Sequence, residues 1–158
     1  MPAAGMGALT QGARAPGTCP GEGPAPCAGE VPAACAGEAG GQIPGRLRAL
    51  CRLEALPDGT SKGFPPAAGG FAGLFAARQG DAVHVYVNSC PHLGVPLDWM
   101  PDRFLSADGS RIVCATHGAE FRIADGVCLQ GPCHGDALEP VLIHIKDGTV
   151  FVSETAGY

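Results

Sequence analysis

The chain has 158 residues and a formal net charge of −5, with 25 glycines, 15 prolines and 8 cysteines. The acidic balance and the lack of any basic patch or Lys/Arg-rich helix argue against nucleic acid and anionic membranes as partners. No apolar run approaches the ~20 residues of a membrane span. The N-terminus shows neither a charged region followed by an apolar core nor a twin-arginine signal, so a cytoplasmic location is expected. In that compartment the cysteines favour metal binding or free thiols over structural disulfides.

Residues 1–45 are mostly Ala, Gly and Pro and include no aromatic residue. Alanine buries too little area to offset chain entropy, so this segment reads as a disordered tail. It carries Arg14 against Glu22, Glu30 and Glu38, a net −2, which leaves −3 for the rest. Its units "CPGEGPAP", "CAGEVPAA" and "CAGEAGGQ" place Cys19, Cys27 and Cys35 eight residues apart. No nearby histidine or rigid turn assembles them into a ligand set, so they read as slippage in a low-complexity linker. Residues 46–158, about 113 in all, make one small domain, of a size that a bound metal would help stabilise.

From residue 46 onward, short β-rich runs alternate with turn signals. The run 46–56 ends at "PDG", and 59–70, "GTSKGFPPAAGG", reads as a loop. Residues 71–89 form a hairpin around Gly80-Asp81, with Val83, Val85 and Val87 on one face and His84, Tyr86 and Asn88 on the other. Further hairpins are expected in 103–114, 120–131 and 137–154, turning at Asp108-Gly109, Asp125-Gly126 and Asp147-Gly148. No segment sustains a helical period. The expected fold is all-β, a sandwich or barrel of short strands.

Two loops carry the chemistry. "NSCPHLGVPLDW" offers Cys90 and His92 before Gly94, and "VCATHGAEF" offers Cys114 and His117 before Gly118. Each supplies one thiolate and one imidazole. The glycines permit conformations that a side chain would resist, and N–H groups in such turns can face a sulfur anion. A Cys₂His₂ set satisfies zinc. A zinc finger, however, groups its two cysteines, then its two histidines on a helix, whereas here 21 residues separate His92 from Cys114. A binuclear centre accounts better for the split: two thiolates on one iron, two imidazoles on the other, sulfides between.

The pair "CPHLG" and "CATHG" resembles the C-x-H-x-G and C-x-x-H-G boxes of Rieske [2Fe–2S] proteins. "GVPLDW", "AEF" and "DGVCLQGP" look like that family's usual continuation, from about Leu47 to Val152. The resemblance implies a small Rieske-type β-sandwich with two cluster-binding loops at its tip. It implies one [2Fe–2S] cluster per chain on Cys90, His92, Cys114 and His117, the histidines coordinating through Nδ1 and lying nearest the surface.

Departures from the family's variants narrow the role. Relatives in cytochrome bc complexes add a disulfide cysteine to each loop, where this chain has Val95 and Thr116. They also carry a serine and a tyrosine hydroxyl, where this chain has Ala119 and Phe121. Fewer donors to the sulfurs imply a lower potential. Ring-hydroxylating oxygenases need a second domain with a mononuclear iron site, and 41 residues after His117 are too few for one. The expected role is a soluble Rieske-type ferredoxin, an electron carrier between a flavin-dependent reductase and a terminal oxygenase or other oxidoreductase, not catalytic alone. The small subunit of an assimilatory nitrite reductase and an iron–sulfur redox sensor remain alternatives.

Among the other residues, "GPCHG" looks like a third box, but adjacent Cys133 and His134 point to opposite faces of an extended strand. Cys128 and Cys133 suit either a labile disulfide or two small buried groups. Cys51 reads as core. His84 and His144 read as surface or satisfied imidazoles, Trp99 as packed under the first loop, and Pro132 as part of a third loop over the cluster. Asp98, Asp102, Glu120 and Asp136 would give the tip an acidic character suited to a basic partner.

Overall fold

Turn chemistry sets the local structure. A computed structural model of the chain describes residues 45–157. Apart from Gly45, the expected tail, with Cys19, Cys27 and Cys35, lies outside the described residues. Strands β8 (Ile143–Lys146) and β9 (Thr149–Ser153) close on Asp147 and Gly148, whose φ angles are 50° and 71°. Positive φ at both central residues is what a two-residue type I′ hairpin requires. Strands β3 (Leu74–Gln79) and β4 (Ala82–Val87) pair from Leu74↔Val87 to Gln79↔Ala82 around Gly80, φ 61°. Strands β6 (Glu120–Arg122) and β7 (Cys128–Gln130) pair across the Asp125-Gly126 turn.

All pairings are antiparallel. β1 (Leu47–Arg52), β9 and β8 form one sheet, with β9 in the middle. β2 (Ser61–Phe64), β3 and β4 form a second. β5 (Arg111–Val113), β6 and β7 form a third. Among the described residues the only helical element is a 3₁₀ turn at Leu53–Ala55, and no helix is long and apolar enough to cross a membrane. The all-β reading of the sequence therefore holds.

The β2–β3–β4 sheet is buried on both faces. Leu74, Ala76, Val83, Val85 and Val87 join Val150 and Val152 of β9 in one apolar cluster. Phe75, Ala77 and Tyr86, on the opposite face, join Phe104, Ile112, Phe121, Ile123 and Leu138 in another. Period-two alternation splits β3 and β4 between the two cores. Tyr86 donates its hydroxyl to the Ile123 carbonyl at 2.7 Å, and Phe75 stacks on Phe104 at 4.4 Å.

Three expectations are corrected. The stretch 59–70 is not all loop, because β2 occupies Ser61–Phe64. Its Lys-Gly centre carries no apolar alternation; the strand is fixed by its register with β3 and by the Asp102 carboxylate, which accepts the Gly63 N–H at 2.7 Å. In 103–114 only Arg111–Val113 is a strand, closed back by a single bridge from Leu105 to Ile112. His84 is buried, 6% exposed, and its Nδ1 has no hydrogen-bond partner, because the face it shares with Tyr86 is itself covered. Burial lowers the His84 pKa, opposed by the nearby Asp125 charge.

Candidate metal centre

The two boxes fold into the same backbone loop. In the first, the Cys90 N–H donates to the Val95 carbonyl at 2.8 Å, and the Gly94 N–H donates to the Cys90 carbonyl at 2.7 Å. In the second, the Cys114 N–H donates to the Ala119 carbonyl at 2.8 Å, and the Gly118 N–H to the Cys114 carbonyl at 2.9 Å. Each loop thus runs from a cysteine to the fifth residue after it and closes on a glycine at the fourth. Gly94 and Gly118 have φ of 70° and 68°, a conformation that disfavours side chains and explains glycine in both boxes. The first histidine sits two residues after its cysteine and the second sits three after, yet both reach the same place.

That place has an inside and an outside. Cys90 and Cys114 are buried, 2% and 1% exposed, among Leu97, Ala119 and Phe121. His92 and His117 are exposed, their ring centroids 5.1 Å apart at an interplanar angle of 78°. Burial raises the Cys90 thiol above its ordinary value. The backbone N–H of His92, aimed at the same sulfur, opposes this, while the neighbouring Cys114 thiol adds to the rise. A thiol held protonated by burial becomes a thiolate when a cation neutralises it, so binding there releases protons.

Among the described residues, no three His, Cys, Asp or Glu side chains are gathered into one cluster. The four donors form two pairs, sulfur inside and imidazole outside. That division suits a two-metal group with different ligands on its two halves.

Supporting residues hold the loops. Asn88 donates from Nδ2 to Asp98 at 2.7 Å and accepts the Leu97 N–H at 2.8 Å, which fixes the exit of the first box. The Ala115 N–H donates to the Leu97 carbonyl at 2.8 Å and ties the second box to the first. A third loop, Gly131–Asp136, packs against the second box. A Cβ at Gly131, φ 113°, would lie 2.7 Å from Ala119 Cα.

Residues 48–147 match the family described as the Rieske [2Fe–2S] domain. The chain belongs to this family. The cofactor of a Rieske domain is a [2Fe–2S] cluster with two histidines in place of two cysteines on one iron, and the paired donors fit it. Solved structures of similar fold include the complex of reduced oxygenase and oxidised ferredoxin in carbazole 1,9a-dioxygenase, at 25% identity and TM-score 0.56, over 68% of this chain and 93% of that one. The ferredoxin of carbazole 1,9a-dioxygenase from Nocardioides aromaticivorans IC177 aligns at 21% identity and TM-score 0.54, over 68% of this chain and 96% of that one. The terminal oxygenase of carbazole 1,9a-dioxygenase from Novosphingobium sp. KA1 aligns at 20% and 0.55, over 70% of this Rieske chain but 30% of its own. No curated protein matches the chain.

Several side residues differ from expectation. Trp99 does not pack under the first loop; it is 84% exposed, and the fully buried apolar side chain of that segment is Leu97, whose N–H donates to Asn88. Asp98 and Asp102 take internal hydrogen bonds from Asn88 and Gly63, which leaves Glu120 and Asp136 of the four expected tip carboxylates without such a role. Cys133 is buried and His134 exposed, but in a turn and not in the extended strand expected, with the His134 N–H donating to the Gly131 carbonyl at 3.2 Å. Burial, reinforced by the adjacent Cys128 and Cys90 thiols, pushes the Cys133 thiol up to about 12. Asn88 was the residue that strand pattern alone assigned no task. Its place two residues before the first cysteine was the available signal.

Proposed function

We propose that Cys90 and Cys114 hold one iron of the [2Fe–2S] cluster and His92 and His117 the other, and that the chain is a one-electron carrier. The donor is a flavin-dependent reductase and the acceptor a terminal oxygenase or other oxidoreductase, with the protein working in the cytosol. The observation carrying this reading is the pair of loops closed by matching hydrogen bonds, thiols buried and imidazoles exposed.

When bound, the cluster supplies a one-electron couple. The chain's own residues do the rest. Leu97, Ala119 and Phe121 exclude water from the sulfur side. The exposed imidazoles of His92 and His117, beside Leu93 at 60% exposure, form the face that a redox partner touches. The free thiols of the described cysteines suit the reducing cytosol. The ferredoxin and oxygenase named in the similar structures support the choice of partner.

Neither Ala119 nor Phe121, both buried in the cluster-side core, has a hydroxyl to donate to a sulfur. The midpoint potential therefore falls in the lower part of the roughly −150 to +300 mV Rieske range. Protein-film voltammetry tests this, and a midpoint above roughly +100 mV contradicts it. Ala119→Ser adds one donor and raises the midpoint. A differential hydrogen bond of about 1 kcal/mol corresponds to a rise on the order of 50 mV for one electron.

A further inference from the structure

The four-donor set leaves two buried cysteines unused. Cys128 on β7 and Cys133 in the third loop are 1% and 3% exposed. Their sulfurs are 3.2 Å apart, with Cys133 Sγ donating to Cys128 Sγ. The backbone fixes this approach. The Cys128 N–H donates to the Asp136 carbonyl at 2.7 Å, and the Gly135 N–H donates back to the Cys128 carbonyl at 3.2 Å. Gly131 and Gly135, with φ of 113° and 94°, fold the intervening chain into a loop that returns Cys133 onto β7. The Cys128 thiol in turn donates to the Gln130 carbonyl at 3.3 Å, which leaves its sulfur facing Cys133 Sγ.

We propose that Cys128 and Cys133 form a redox-active dithiol that closes to a disulfide by exchange with a low-molecular-weight disulfide such as glutathione disulfide. With the loop open and Cys133 in solvent, its thiol gives up its proton, and the resulting thiolate attacks one sulfur of the reagent. The reagent's S–S bond breaks and one glutathione leaves as thiolate. The Cys128 sulfur then attacks Cys133 Sγ in the mixed disulfide and expels the second glutathione. The two cysteines lose two electrons and two protons, and the reagent gains both.

Both sulfurs are covered, whereas Gly131, Pro132, His134, Gly135 and Asp136 around Cys133 are exposed. The reagent therefore reaches Cys133 when the loop opens, and the reaction is slower than at an exposed thiol. Cys133 shares the core cluster with Cys90. Closing the disulfide removes a thiol donor from beside that sulfur and lowers the cluster's potential, a consequence that rests on Cys90 being a ligand.

The experiment incubates cluster-loaded protein in glutathione buffers from reducing to oxidising, traps thiols by alkylation, and maps the tryptic peptide Ile123–Lys146. That peptide contains Cys128, Cys133 and no other cysteine. The expected result is an unalkylated peptide lighter by two hydrogens at the oxidising end, restored by dithiothreitol, while Cys128→Ser gives a glutathione adduct on Cys133. Full alkylation of both cysteines with the cluster intact, or adducts in the wild type without closure, overturns the proposal; the wild-type map needs no variant to fold. Voltammetry on the two forms separates the second claim. A lower midpoint in the disulfide form supports the coupling to the cluster. An unchanged midpoint with the disulfide present removes that coupling and leaves the dithiol standing.

Discussion

"CPHLG", "CATHG" and "GPCHG" place cysteine and histidine close together before a glycine, yet the first two fold alike and the third does not. In the first two, an N–H four residues on and a carbonyl five residues on close a wide loop around the cysteine. The cysteine points in and the histidine turns over the same spot. In the third, the bonds span three residues, from His134 to Gly131 and from Asp136 to Cys133. That tighter turn leaves His134 exposed and directs Cys133 to Cys128 instead of to an imidazole. The spacing from cysteine to glycine therefore decides whether a cysteine and a histidine can share a bound group. Residue type alone does not.

Substitutions can break this contrast or sharpen it. The largest effect is expected from Cys114→Ala, which takes iron from about two per chain to near zero and destabilises the domain, because binding and folding are coupled. Cys133→Ala should keep its iron; colorimetric iron analysis with thermal unfolding distinguishes the two. Next is Gly131→Val, whose Cβ meets Ala119 Cα at 2.7 Å in a left-handed backbone. Its expected cost is about 3 kcal/mol. Gly118→Ala meets nothing within 4 Å and strains only its φ of 68°, for about 1 kcal/mol. Urea unfolding ranks the pair, and equal costs would mean that the third loop does not press on the second box. Asn88→Ala strands the N–H of fully buried Leu97 and costs about 2 kcal/mol, with faster loss of iron to a chelator. The smallest effect belongs to Trp99→Ala, within about 0.5 kcal/mol of wild type. A larger loss would restore the packed role that the sequence suggested.

The hairpins at Gly80, Asp125-Gly126 and Asp147-Gly148 and the two cysteine–histidine boxes of the family were legible because their signals are local. Asp-Gly pairs dictate turns within a few residues, and a box keeps its cysteine, histidine and glycine within five positions. What stayed hidden depends on distant partners. β2 is a strand because β3 offers it an edge and Asp102 holds Gly63, neither visible in "SKGF". His84 follows an alternation that correctly separates two faces but cannot say that both are covered, one by β9 and the other by the cluster-side core. Trp99 looked like core by residue type, while Leu97, two residues earlier, is the side chain this segment buries. Cys128 and Cys133 were visible as a spaced pair, but their facing sulfurs follow from Gly131 and Gly135 reversing the chain between them.

The central claim is that the two boxes share one binuclear group with unlike halves. Electron paramagnetic resonance of the dithionite-reduced protein, with iron and sulfide analysis of the same sample, tests it most directly. The account predicts a rhombic signal averaging below that of an all-cysteine plant-type cluster, with about two iron and two sulfide per chain. A protein that is silent in the resonance experiment and holds one zinc per chain would contradict it.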